Sequence, residues 1–333
     1  MTVVAVVIPY YQKKLGILRR ALQSVLGQVV PPSVTVRIIV TDDGSPVPPD
    51  GELDGLLITP PFELQLVRQA NAGAAAARNG CLAAVADDTS YIAFLDSDDL
   101  WEPAHLATAL AALDRGYDYY FCNNRRVGGH ESYFAQTGFD RYLAAQGAPL
   151  ADGLYALDPA DFISFSLRAW TSLTPTVVFR RSIAPDLRFD ASLRAAGEDC
   201  LFLLQLMGRA SRICCATALN VTCAEGVNIF YSTYNWDDPG HLPRQIGQLL
   251  KSYRFLQTLP LAQADRDYVQ ACITQERRNI AFFFLRAVAK KRLNALADIH
   301  RLMRDDPSFW RWFPFSAASV AVLFPLRRFS PKD

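Results

Sequence analysis

The sequence predicts an α/β protein: an open, mostly parallel sheet flanked by helices, followed by a mainly helical C-terminal extension. Three observations carry this. Strand-like apolar runs alternate with helix-periodic stretches through the first hundred residues, polar clusters follow the strand-like runs, and the chain beyond Pro239 shows mostly helical spacing.

Residues 3–8 (VVAVVI) form a continuous β-branched run, as expected of a strand covered on both faces. Ile17, Leu18, Ala21, Leu22, Val25 and Leu26 then recur at helical spacing, and Pro31-Pro32 ends that segment. "VTVRIIVTDDGSP" reads as a second strand running into a turn, and "ELQLVRQ" as a third after a Pro- and Gly-rich loop. "GAAAARNGCLAAVA" is an Ala-rich helix, and Tyr91–Leu95 a buried strand. "AHLATALAALDRG" continues as helix and "YDYYFCNN" as strand. Residues 125–165 lack clear periodicity and read as loop with short helices. "TPTVVFRRS" is strand-like, and "GEDCLFLLQLMGRA" is a helix opening on two acids, where its dipole is positive. We expect a body over 1–240, divided at 124, and a separate helical region over 241–333.

With 333 residues, half of them hydrophobic and 20% charged, a sizeable core is expected and wholesale disorder is not. Residues 1–240 carry 26 acidic and 18 basic side chains, whereas 241–333 carry 7 acidic and 16 basic. A cationic tail on an acidic body implies an anionic partner for the tail. No helix-turn-helix, finger or RNP signature is present, so nucleic acid is not the expected partner. The seven cysteines show no C-x-x-C spacing, and they read as small buried residues in a reducing compartment. The four histidines are scattered without zinc spacing, and His241 alone is a candidate phosphate contact. The N-terminus enters a strand directly, without the look of a signal peptide, and no apolar run is long enough to span a bilayer.

Open sheets of this kind bind ligands beyond the carboxyl ends of their strands. Pro9-Tyr10-Tyr11, Asp42-Asp43-Gly44-Ser45 and Asp96-Ser97-Asp98-Asp99 all fall at such ends. On a strand, Asp96 and Asp98 share a face. Paired bare carboxylates repel, and Mg²⁺ or Mn²⁺ between them removes that penalty. Capping of the following turn by Asp98 or Asp99 is the competing account.

Taken together and in order, "VVIPYYQ", "SVLGQ", "VTDDGSP", "NAGAAAARN", "FLDSDD" and "GED" resemble the family-2 glycosyltransferases of GT-A fold, over roughly residues 3–230. The opening segment looks most like bacterial exopolysaccharide glucosyltransferases of the succinoglycan-assembling kind. The resemblance implies a UDP-sugar donor, with Pro9 and Tyr11 walling the base and Asp43 accepting the uracil N3–H. Asp42 would hold the turn or the ribose. Asn71, Gly73 and Arg78 would border the nucleotide, with Arg78 offsetting the acids or meeting the diphosphate. Asp96 would face the ribose, Asp98 would bind the metal, and Asp99 would be a further ligand. Asp199 is implied as the base and Glu198 as its support, an inverting arrangement. Many relatives carry a metal-completing histidine where "CAEGVN" places Glu225; either Glu225 serves as an oxygen ligand instead, or water completes the shell.

The implied acceptor is an oligosaccharide linked to a polyprenyl diphosphate. This places the chain in the cytoplasm, peripheral at the inner face of the plasma membrane. "FWRWFPFSAASVAVLFPLRRF" suits an anionic bilayer surface, with Trp310 and Trp312 at headgroup depth. Packing of the same aromatics on the body or in a homodimer is the alternative. Two other functions compete with transfer: a haloacid-dehalogenase-like phosphohydrolase, which also places D-x-D after a strand, and an inactive GT-A scaffold.

Overall fold

The N-terminal apolar run becomes β1, Thr2–Tyr10, buried from Val3 onward. The computed structural model describes residues 2–129, 131–151, 153–194, 196–223, 241–289, 300, 306 and 308–323. Helix α1, Ile17–Leu26, buries the stripe Leu18, Ala21, Leu22 and Val25. Its first amides have no local cap; Glu52 supplies one, its carboxylate accepting from the Gly16 and Arg19 N–H groups at 2.6 and 3.0 Å. Glu52 lies in the short α2, Asp50–Leu53, which follows β2, Val34–Asp42. Then come β3, Phe62–Arg68, α3, Ala74–Ala83, and β4, Tyr91–Phe94. These strands occur where apolar β-branched runs place them.

The remainder is more ordered than its periodicity suggests. The short β5, Leu100–Trp101, leads to α4, His105–Leu113, and β6, Tyr119–Arg126. The segment expected to be loop with short helices contains three of them, α5, Tyr133–Thr137, α6, Phe139–Gln146, and α7, Pro159–Arg168, and adds two strands that were not expected, β7, Ala148–Ala151, and β8, Leu154–Leu157. Rings rather than aliphatic periodicity hold this lobe: Phe121 stacks on Phe162 at 4.8 Å, and Phe134 meets Phe139 edge-on at 4.6 Å. A 3₁₀ turn, Thr174–Thr176, precedes β9, Val178–Arg180; α8, Glu198–Met207, and β10, Ile213–Cys223, follow.

The sheet has the order β3-β2-β1-β4-β9-β6-β10-β8-β7, with β5 paired to β10. β1 to β4 are mutually parallel, β9 runs antiparallel between β4 and β6, and β6 and β10 are parallel. β6 crosses the division expected at 124, so both halves of the body share one sheet. Residues 1–194 with 198–227 form one compact unit, and 195–197 with 228–333 a second. The expected boundary at 240 therefore shifts.

The second unit contains α9, His241–Leu256, α10, Gln263–Ala289, and α11, Phe309–Leu323. Asp306 ties it together: its carboxylate accepts from the Trp312 indole N–H at 2.8 Å and pairs with Arg254 at 2.7 Å. The Arg277 guanidinium lies 5.3 Å from the centre of the Trp312 ring. Within the same unit the Ala196 N–H donates to Gln248 Oε1 at 3.1 Å.

Helix α3 approaches β1 and β2 closely because it presents alanines and Gly80 to them. A Cβ at Gly80 would stand 2.9 Å from Gln69 Oε1 and 3.0 Å from Thr41 Cγ2. Gly80→Val is therefore expected to lower the stability of the chain by about 1–3 kcal/mol. The urea midpoint at constant slope measures it, and an unchanged midpoint would contradict the packing described.

Candidate active site

The carboxyl ends of β1, β2 and β4 are joined by side chains of the loops that follow them. Gln12, just past β1, donates from Nε2 to Ser97 Oγ at 3.2 Å and from its backbone N–H to Ser45 Oγ at 3.3 Å. Three strand ends are thus held in register at one rim. Asp43 anchors the next loop. Its Oδ1 accepts from Gln69 Nε2 at 2.7 Å and Ala72 N–H at 2.8 Å; its Oδ2 accepts from Asn71 Nδ2 at 3.1 Å and Gly73 N–H at 2.8 Å. Those four donors match the lone-pair capacity of a carboxylate.

From α3, Arg78 reaches under this rim. It is 6% exposed, and its Nη2 donates to Asp96 Oδ1 at 2.7 Å while Nη1 lies 3.5 Å from Glu198 Oε1. Asp96 follows β4 and Glu198 opens α8, so one guanidinium brings two acid clusters, far apart in sequence, to a common cleft. The neighbouring Asn79 fixes the same approach: its side-chain amide exchanges two hydrogen bonds with the backbone of Phe189, at 2.8 and 2.9 Å. The Phe189 ring stacks on Phe202 of α8 at 3.8 Å and meets Phe94 of β4 edge-on at 5.6 Å.

Electrostatics follow from this crowding. Burial, and then the charge of Asp96, push the Asp98 carboxyl well above the ordinary carboxylate range. Burial, and then Asp199, raise Glu198, with Arg78 opposing them. Arg78 itself is held more firmly protonated: burial opposes its charge, but Asp96 and Glu198 outweigh it.

Several expectations change in position or role. Asp96 to Asp99 do not continue the strand; they form a turn closed by the Asp99 N–H to Asp96 carbonyl bond at 3.0 Å. Strand periodicity is therefore not what pairs Asp96 with Asp98. The turn expected to follow Asp98 and Asp99 begins instead as a strand, since residues 100–101 form β5. Asp43 has its lone pairs filled by donors of the loop after β3, so the uracil contact assigned to it is not free. Asp42 holds the turn, accepting from the Ser45 N–H at 2.9 Å. Pro9 is buried in β1 and Tyr11 half-exposed beside it, whereas Tyr10 is core, its hydroxyl donating to the Val47 carbonyl at 2.8 Å. Asn71 and Gly73 border Asp43 as described. Asp99 is buried, and Glu225 lies outside the described residues, as does the side chain of His241.

Among the described residues no three His, Cys, Asp or Glu side chains converge as a metal-binding set. Asp96, Asp98 and Asp99 are thus not such a set by themselves, and Glu225, the fourth expected ligand, lies outside the described residues. Asp98 nonetheless carries hard oxygens with no ion pair among the described residues, close enough to Asp96 to feel its charge. Two such carboxylates suit Mg²⁺ or Mn²⁺ when phosphate oxygens and water fill the other positions. Sequence reasoning missed Gln12, Gln69 and Arg194. Arg194 donates from Nη2 to Asn71 Oδ1 at 2.9 Å.

A parallel-centred sheet with acid clusters at its carboxyl rim and a second acid pair opposite defines a GT-A type glycosyltransferase, and the comparisons agree. Residues 5–155 match the family model "Glycosyl transferase family 2". Over 328 residues the chain is 35% identical to the succinoglycan biosynthesis protein ExoW of Rhizobium meliloti (strain 1021), covering 97% of this chain and 98% of that protein. The minor teichoic acid biosynthesis protein GgaA of Bacillus subtilis (strain 168) is 31% identical over 123 residues, 37% of this chain and 26% of GgaA. Among solved structures, S. aureus TarS 1–349 in complex with UDP-GlcNAc aligns with a TM-score of 0.62 at 17% identity, covering 100% of this chain and 95% of that one. The chain belongs to glycosyltransferase family 2. The phosphohydrolase alternative is thereby overturned.

The raised carboxyls give a pH dependence whose sign is fixed. A folded-state carboxyl that titrates above its unfolded value binds more protons when folded, so stability falls as pH rises through the raised value. The chelator-treated chain is expected to lose about 1–3 kcal/mol from these groups between about pH 4 and about pH 7. Glu198→Gln should flatten that slope. Denaturant midpoints across the range measure it, and an unaltered slope in the variant would place Glu198 elsewhere.

Proposed function

We propose that the chain is an inverting, metal-dependent transferase that moves a sugar, with glucose the first candidate, from a UDP-sugar onto a growing lipid-linked exopolysaccharide oligosaccharide. The observation that carries this reading is Arg78, which draws the acids after β4 and the acids opening α8 into one cleft. The near full-length likeness to a succinoglycan biosynthesis protein supports the pathway class. Structures of TarS with UDP-GlcNAc and with UDP support a uridine nucleotide. A mannosyltransferase from Pyrobaculum calidifontis of related fold, TM-score 0.51 at 17% identity, was solved with GDP-Man and Mn²⁺.

In this reading the half-exposed Tyr11 stacks on the base, while Asp42 and Asp43 hold the loops that shape its seat. Asp98 and Asp96 would hold the divalent ion. When bound, the ion supplies charge neutralisation for the departing diphosphate. Arg78 keeps Asp96 and Glu198 oriented. Asp199 takes the proton from the acceptor hydroxyl as that oxygen attacks the anomeric carbon opposite the leaving group, inverting its configuration. Glu198 flanks it and fixes the helix start.

Release of UDP from a nucleotide-sugar panel, with Mn²⁺ or with chelator, tests the reading. UDP-glucose is expected to turn over with metal alone. Asp98→Ala should lose metal-dependent UDP binding, and Asp199→Asn should keep donor affinity while transfer falls by about 10²–10⁴-fold. No turnover of any sugar would favour the scaffold alternative.

We also propose that the second unit docks on the anionic inner face of the plasma membrane. No helix among the described residues is long and apolar enough to cross a bilayer. Trp310 and Phe315 of α11 are 68% and 77% exposed, with Arg311 beside them, in a region rich in basic residues. Trp312 does not share this face: at 8% exposure, bonded to Asp306, it belongs to the unit's own core. The double variant Trp310→Ala, Phe315→Ala is expected to lose flotation with anionic liposomes while keeping turnover. Equal flotation would remove the proposal. A shift from dimer to monomer in the same variant, by light scattering, would assign the face to a second copy instead.

A further inference from the structure

The loop from Gln69 to Gly73 resembles a phosphate-cradling turn, yet its amides are already engaged. The Ala72 and Gly73 N–H groups both point at Asp43, at 2.8 Å. An anion arriving at this rim must therefore find its positive charge on side chains. Arg78 is committed to Asp96 and Glu198. Arg194 is a second cation, placed four residues before Glu198 on the segment that leads into α8.

The position of Arg194 is built rather than incidental. Its guanidinium lies over Gly73, where a Cβ would stand 3.3 Å from Nε and 3.7 Å from Cγ. Gly73 has φ +97°, which glycine adopts freely, so the loop both turns there and leaves room for the arginine. Asn71 orients it, offering Oδ1 to Nη2 at 2.9 Å. The amide of Asn71 is in turn fixed by donating to the Asp43 carbonyl at 3.0 Å and to its Oδ2 at 3.1 Å. Among the described residues no carboxylate pairs with Arg194, although acids crowd the cleft. One neutral acceptor thus holds an exposed guanidinium that keeps its full charge and further donors for an oxyanion.

We propose that Arg194 binds the phosphate oxygens of the donor from the outer rim, with Asn71 as its positioning residue. This rests on the uridine-nucleotide reading above. The competing role is a purely structural staple between two loops.

Calorimetry with uridine, UMP and UDP, in Mn²⁺, separates the two. Wild type, Arg194→Ala and Arg194→Gln are compared, with thermal melts to confirm folding. UDP affinity is expected to fall about tenfold in both variants, with uridine affinity kept within about twofold. UDP affinity should also become less sensitive to salt. Wild-type UDP affinity in both variants would overturn the proposal, as would equal losses for uridine and UDP, or full rescue by glutamine. A wild-type chain that binds uridine nucleotides while the variants are indifferent removes only this role. A wild-type chain that binds none removes the nucleotide reading, and this proposal with it.

Discussion

The site depends on a buried guanidinium. Arg78 lies beneath a rim that concentrates Asp96, Asp98, Asp99, Glu198 and Asp199, and it is the cation through which the two clusters meet. Burying such a charge is unfavourable unless it is paired, and removing one partner from a buried pair typically costs about 3–5 kcal/mol. The interaction is therefore better understood as placing the acids than as a source of stability. Without it, Asp96 and Glu198 would repel across a partly dehydrated cleft, and α8 would have reason to withdraw.

Supports around Arg78 explain why its geometry holds. The guanidinium lies 5.3 Å from the centre of the Phe189 ring, and Phe189 is fixed twice: by the backbone bonds from Asn79 and by its stack on Phe202. Helix α3 thus carries a paired contact, Arg78 to the acids and Asn79 to the loop ahead of α8, on adjacent residues. The alanines and Gly80 on the opposite face let that helix sit low enough on β1 and β2 for the arginine to reach. Small residues on one side and long polar ones on the other are two parts of one arrangement.

Much of this was legible from sequence, and the gaps have physical reasons. β1, β2 and β4 announce themselves through β-branched apolar runs, and the acids after them mark the rim. β10, the longest strand, was missed because "ICCATALNVTC" relies on Cys and Ala, its pairing is irregular after Ala216, and its covering comes from neighbours rather than from its own pattern. Over 133–168 short helices were expected, but their bounds and the strands β7 and β8 were not legible, because aromatic clustering leaves no simple period. Gln12 and Arg194 were invisible for another reason: their partners, Ser97 and Asn71, lie 85 and 123 residues away. Sequence motifs show which acids gather, but not which neutral side chains hold the loops that carry them.

The turn after β4 shows how an expectation can fail in geometry while the acids it concerns stay together at the rim. On a strand, Asp96 and Asp98 would share a face by simple alternation. In the turn, burial alternates instead: Ser97 and Asp99 face inward, and Asp96 and Asp98 stay partly open. Ser97 is held by Gln12, so the inward residue is the anchor that leaves its acidic neighbours outward. A turn also frees the two carboxylates from the fixed spacing of the sheet, so their separation can adjust. The strand delivers the acids to the rim, and the turn gives them the latitude that a rigid ladder would deny.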